Sequence, residues 1–130
     1  LRCTNSEMAG LVEIVGGSVV IKNSTITAPE NRALEISNGN GLIENSHIDG
    51  TIHVKENATL SLLQTQIHSD KNLDLIETVN ETSLIQLFNC IVTGTTKIKT
   101  GDGTSIRSNL IALGPATELV GGENILIQPV

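Results

Sequence analysis

Apolar residues recur along this chain in a fixed frame. At residues 21–26 the sequence IKNSTI places an Asn-Ser pair between two isoleucines, and the frame returns at 43–48 as IENSHI. It comes back with substitutions as LLQTQI at 62–67, LFNCIV at 87–92 and IRSNLI at 106–111. The leading apolar residues, Ile21, Ile43, Leu62, Leu87, Ile106 and Ile125, repeat with a period of about 20, the mark of a solenoid. A unit that short cannot bury an apolar face alone and must stack on its neighbours. Leucine-rich repeats need a segment of 3.6-residue periodicity, and none of these units offers one.

Each unit divides into three short segments. One alternates apolar, polar, apolar, as in Leu34-Glu35-Ile36, Ile52-His53-Val54 and Leu73-Asp74-Leu75, the pattern of a half-buried strand. A second ends on the leading residue of the frame, and a third follows the Asn-Ser pair and turns Ile26, Ile48, Ile67, Val92 and Ile111 inward. Between the first and second lie loops such as VGGS, SNGNG and KENAT, rich in residues that accept positive φ. Three strands per turn, each stacking on its equivalents, predict a parallel β-helix with columns of equivalent residues about 4.8 Å apart. Asn23, Asn45, Gln64, Asn89 and Ser108 then form a ladder at the bend between the second and third strands, because Asn tolerates the left-handed conformation such a bend requires. Ser24, Ser46, Thr65, Cys90 and Asn109 form the next, inward column.

With that ladder in place, the chain resembles the right-handed, pectate-lyase-like β-helix superfamily over about residues 11–128. The repeat spacing predicts an all-β, single-stranded parallel β-helix of about six coils with three short strands each, and the length of 130 residues fits one domain over 1–130; the resemblance makes the helix right-handed, and ends without a capping helix are expected of a segment of a longer protein or assembly. Lyases, hydrolases, epimerases, tailspikes and adhesins share that fold, so it does not choose an activity. Shorter runs, SHIDGTIHV at 46–54, CIVTGTTKI beginning at Cys90 and IRSNLIALG ending at Gly114, are similar to β-helix segments of phage-tail-like contractile systems. They imply a structural or receptor-facing module of a particle.

Composition narrows the ligand. The formal charge is −6, from 14 acidic against 8 basic residues with no basic run, and one Phe stands without Tyr or Trp. Neither a phosphate backbone nor stacked bases are served by such a surface, so nucleic acid is not expected. No run is long and apolar enough to span a membrane, and LRCTNSEMAG at the start lacks the apolar core of a signal peptide. Cys3 and Cys90 fall roughly four coil steps apart, on the order of 19 Å, beyond the reach of a disulfide. Both thiols are expected to be free, and an extracellular or particle-associated setting fits the fold.

Candidate chemistry lies on the outer face of the first strand. There Glu13, Glu35, His53, Asp74, Lys97 and Glu118 form a column, and the resemblance makes this face the substrate cleft. Glu35, His53 and Asp74 are the candidate catalytic residues, since a His between two carboxylates can move a proton. Against an enzyme, the sequence lacks the paired Asp and Gly-His-Gly signatures of polygalacturonase-like hydrolases, the basic cluster of a pectate lyase, and aromatic sugar platforms. The column reads better as a solvated ladder of mixed charge that discourages register slip. His47, His68 and Asp49 read as solvated too, so no cofactor and no metal are expected.

A different row departs from a bland surface. The outward position before the bend runs Lys22, Glu44, Leu63, Phe88, Arg107, Leu126, and the one after it Thr25, His47, Gln66, Ile91, Leu110. Both turn from polar to apolar, which predicts an exposed patch of Leu63, Phe88, Ile91 and Leu110. The expected function is therefore a non-enzymatic structural or binding module that contacts a protein partner or a second copy. The alternative is a polysaccharide-active enzyme, or a glycan-binding tailspike or adhesin fragment, using the outer face of the first strand.

Overall fold

The computed structural model describes residues 2–69, 74–78, 84–94, 96–99, 105–109, 111–113, 117–120 and 127–129, with side chains for 2–28, 32–69 and 85–94. Strands make up the described residues almost entirely, with no helix among them. In chain order they are β1 (Arg2–Thr4), β2 (Glu7–Ala9), β3 (Val12–Lys22), β4 (Thr25–Glu44), β5 (His47–Val54), β6 (Thr59–Leu63), β7 (Gln66–His68) and β8 (Asp74–Thr78). There follow β9 (Leu84–Phe88), β10 (Ile91–Thr93), β11 (Thr96–Lys99), β12 (Ser105–Asn109), β13 (Ile111–Leu113), β14 (Thr117–Val120) and β15 (Ile127–Pro129). Each pairing is parallel, and each joins residues about one repeat apart. The fold is a parallel β-solenoid.

Residues 2–69 wind through about three turns, not the six counted from the markers along the whole chain. Three of those markers, Leu87, Ile106 and Ile125, lie beyond that stretch. The long strands β3 and β4 each run around a corner, so one strand serves more than one side of the coil.

The inward columns are those the pattern predicted. Ile21 pairs with Ile43 and Ile43 with Leu62, and all three are fully buried. Ile26, Ile48 and Ile67 stack likewise on the third side, and Leu34, Ile36, Ile52 and Val54 on the first. Burying one such side chain stabilises the fold by about 1.5–3 kcal/mol, and β-branched isoleucine suits the pleat.

At the bend, Asn23, Asn45, Gln64 and Asn89 all take φ near +50°. The backbone N–H groups of the first three reach the next coil, Asn23 donating to the Glu44 carbonyl at 3.1 Å, Asn45 to that of Leu63 at 2.9 Å and Gln64 to that of Phe88 at 2.9 Å. Asn45 Nδ2 also donates to Asn23 Oδ1 at 2.7 Å. In the inward column after the bend, each hydroxyl caps the carbonyl two residues back, Ser24 to Lys22 at 2.8 Å and Ser46 to Glu44 at 2.9 Å. That hydroxyl in turn accepts the N–H from the preceding coil, Ser24 N to Ser46 Oγ at 3.1 Å. Small hydroxyl residues follow the ladder because the corner leaves one N–H without a strand partner.

Sequence reading missed two parts of this scheme. Asn5, at φ +52°, is a further rung, and Cys3 pairs with Ile21, so CTNSEM at 3–8 is itself a copy of the frame. Asn38 and Asn57 make a second ladder at the corner between the first and second sides, with φ of +52° and +53° and a 3.3 Å amide contact. Its only sequence trace was the recurrence of Asn in SNGNG and KENAT.

Two registers need correction. Ser108 pairs with Leu87 and Asn109 with Phe88, so Ser108 lies within a strand and not in the ladder. A slip of two residues keeps every side chain on its own face, so alternation alone could not distinguish the two registers. Ile76, not Leu73, pairs with Ile52, which sets Glu77 beside His53 and puts Asp74 opposite Lys97. The adjacent apolar residues Leu75 and Ile76 break the alternation there and offer two frames.

Candidate functional site

On the outer face of the first side, Glu13 pairs with Glu35 and Glu35 with His53, as the column predicted. His53 is followed by Glu77, so Asp74 does not complete the proposed carboxylate, imidazole, carboxylate series. The expected solvation of the column also fails in its middle, for Glu35 and His53 are each only 8% exposed.

Glu35 is buried because it is paired. Arg32 Nη1 lies 3.0 Å from Glu35 Oε2, and the Lys55 ammonium sits against Oε1. Arg32 reaches this position because the register of β4 against β5 shifts between Thr27 and Arg32 and again before Leu34. Between Thr27 and Arg32 the chain of β4 is longer than the Asp49-Gly50-Thr51 stretch of β5 that it pairs with. The hydrogen bond from Lys55 holds the Glu35 carboxyl below the usual carboxylate range; burial opposes this, and the Arg32 hydrogen bond with the two positive charges adds to it. A carboxylate so held remains ionised and is poorly suited to donate a proton near neutrality.

Stability follows from the direction of that shift. A carboxyl whose folded pKa is depressed contributes fully above its unfolded value, near 4.3, and loses the contribution as pH falls through the folded value. Glu35→Gln is expected to cost about 1–2 kcal/mol near neutral pH, discounted because Arg32 and Lys55 are part-exposed. In urea titrations the gap between wild type and variant should close as pH drops from 6 to 3. A gap independent of pH would mean that the ion pairs do not contribute.

Beside this cluster a depression of about 420 Å³ is lined by Ser37, Asn38, His53, Lys55 and Glu56. Of these, only His53 was singled out from sequence. The others, Ser37 and Asn38 within β4 and Lys55 and Glu56 just past β5, have a role set by the corner they turn, not by a motif.

The apolar row is present in part. Glu44 pairs with Leu63 and Leu63 with Phe88, both apolar residues half-buried, and Ile91 is 40% exposed next to Gln66. Leu110 lies outside the described residues, and Ile91 pairs with Ala112. Two coils back, the same row carries an ion pair, Lys22 Nζ to Glu44 Oε2 at 3.3 Å. Leu11 and Val15, not expected from the pattern, are also exposed.

Both cysteines are free. Cys90 is buried in the inward column after Thr65, and burial pushes its thiol up, which leaves it unreactive. His68 Nδ1 lies 2.8 Å from Thr93 Oγ1, and among the described residues no three His, Cys, Asp or Glu side chains are grouped to hold a metal ion. No described helix is long and apolar enough to cross a membrane. Comparison with known protein families, curated proteins and solved structures finds no match for the chain.

Proposed function

We propose that this chain is a non-enzymatic structural module that self-associates or docks on a protein partner through the row of Leu63, Phe88 and Ile91. One observation carries the reading. In a single outward row an ion pair, Lys22 with Glu44, gives way to Leu63 beside Phe88, the only aromatic residue of the chain. A solvated surface has no use for that exchange, whereas a contact surface does. The rest of the reading is a right-handed, pectate-lyase-like β-helix, serving in a phage-tail-like or cell-surface particle. The double substitution Leu63→Lys, Phe88→Lys tests it, since neither side chain fills the core. Multi-angle light scattering should find the wild type as an oligomer and the variant at the monomer mass of 13.7 kDa. Equal masses for the two proteins would overturn the self-association.

A second reading rests on the depression beside His53, whose lining of hydroxyl, amide, imidazole, ammonium and carboxylate groups suits a polysaccharide. Glycan-array binding without product release would support a tailspike or adhesin role, and turnover lost on His53→Ala would support an enzyme.

A further inference from the structure

We propose that the depression beside His53 takes a neutral sugar, with neighbouring hydroxyls held between the Asn38 amide and the Glu56 carboxylate, and that it discriminates against uronic acids. This rests on the second reading, a polysaccharide at this depression, and names the class of sugar. It does not depend on the apolar row.

Three side chains at this corner have hydrogen-bonding capacity to spare. Asn57 Nδ2 donates to Asn38 Oδ1, which fixes the orientation of the Asn38 amide. On the preceding coil the place opposite Asn38 is taken by Gly16, between the pairs Val15 with Ser37 and Gly17 with Gly39. Glycine carries no side-chain oxygen, so the ladder ends at Asn38 and its Nδ2 has no rung to donate to. Glu56 is tied to Asn38 through the backbone, its carbonyl accepting from the Asn38 N–H at 2.8 Å. Among the described residues, nothing in the chain engages the Glu56 carboxylate or the Ser37 hydroxyl. A carboxylate only accepts and an amide N–H only donates, whereas a sugar hydroxyl does both, so two adjacent hydroxyls can satisfy the pair.

Charge decides which sugar. Glu13, Glu35 and Glu56 stand at this corner against Arg32 and Lys55, and Glu77 follows His53 in the column. Both cations lie against Glu35, and the carboxylates outnumber them, so an entering carboxylate meets like charge. The chain's charge of −6 opposes it from afar as well. A neutral ring meets no such penalty. At about 420 Å³ the depression has the size of a small-molecule site. Val15, 70% exposed and paired with Ser37, offers apolar surface to the C–H face of a ring. Next to it nothing lies within 4 Å of a Cβ built on Gly17, which leaves room for a further sugar unit on that side.

NMR titration of the isotope-labelled chain with glucose, galactose and mannose, each beside its own uronic acid at matched ionic strength, tests the site. Saturable shifts are expected at Ser37, Asn38 and Glu56 with at least one neutral sugar, bound about five-fold or more tighter than its uronate. Glu56→Gln keeps the backbone bond to Asn38; it should weaken the neutral sugar about five-fold and narrow the gap to the uronate. Asn38→Gly, which keeps the positive φ, should weaken the neutral sugar and leave the gap as it was. If Asn38→Gly fails to fold, Glu56→Gln decides, since the Glu56 side chain is exposed. A uronate bound as tightly as its parent sugar, or an affinity unchanged in Glu56→Gln, would overturn the proposal and leave the polysaccharide reading standing. Absence of saturation with every one of these sugars would also overturn it, and the glycan array then shows whether the polysaccharide reading falls too.

Discussion

Gly94→Ala is expected to destabilise the protein by roughly 4 kcal/mol or more, at the far end of single-substitution effects. Gly94 follows β10 at φ +100°, and a Cβ built on it falls 2.0 Å from the Ser69 carbonyl oxygen and 2.7 Å from its carbon. Both are backbone atoms of the coil beneath, held there by the Ser69 N–H donating to the Thr93 carbonyl at 3.1 Å. Neither can rotate aside as a side chain would. Gly10 provides the control. Its φ is +95°, nearly the same, but nothing lies within 4 Å of an added Cβ. Gly10→Ala should therefore cost only the backbone preference, about 1–2 kcal/mol. Denaturant midpoints followed by far-UV circular dichroism give the comparison, and equal losses in the two variants would refute the close approach of the coils at Gly94.

Ile43→Ala should cost about 2–5 kcal/mol, the range for a buried aliphatic truncation that leaves a cavity. Ile43 is fully buried and sits in the middle of its column, with Ile21 on one coil and Leu62 on the next. In a solenoid each coil is stabilised by its two neighbours, so the damage should spread along the axis and not around it. Amide exchange should rise at residues 20–22 and 61–63 as well as at 42–44, in the strands paired with the altered one. Val15→Ala, at a side chain 70% exposed, should stay within about 0.5 kcal/mol of wild type. Exchange that accelerates uniformly over all described strands would show that the coils unfold as one unit.

Both substitutions bear on what could be read in advance. The inward isoleucines were legible because a strand has a period of two and a coil a period near 20, and Ile21, Ile43 and Ile48 satisfy both at once. The ladder was legible through Asn23 and Asn45 for a related reason, since few residues other than Asn and Gly accept the left-handed bend. Even so, Asn5 went unnoticed in a frame that opens on Cys3 instead of an isoleucine, and Asn38 and Asn57 lay hidden in loop-like sequence.

The candidate site was only half legible. Glu35 and His53 were placed in one column correctly, but the column was expected in solvent. Arg32 and Lys55, which make burial of Glu35 tolerable, occupy no recurring position; Arg32 comes from a stretch of β4 that is longer than its neighbour, and Lys55 from the residue just past β5. Asp74 was assigned a place that belongs to Glu77, and Ser108 a place in a ladder it does not join.

By itself the sequence determined the class of fold, the residues of the core and the residues of the bend, because each depends on a local preference repeated at a fixed interval. Register at the irregular coils, the pairing of Glu35 and the near approach of Gly94 to Ser69 were decided only by the tertiary structure. Those depend on the lengths of unlike loops and on which strands come to lie side by side, and a local preference carries no information about either.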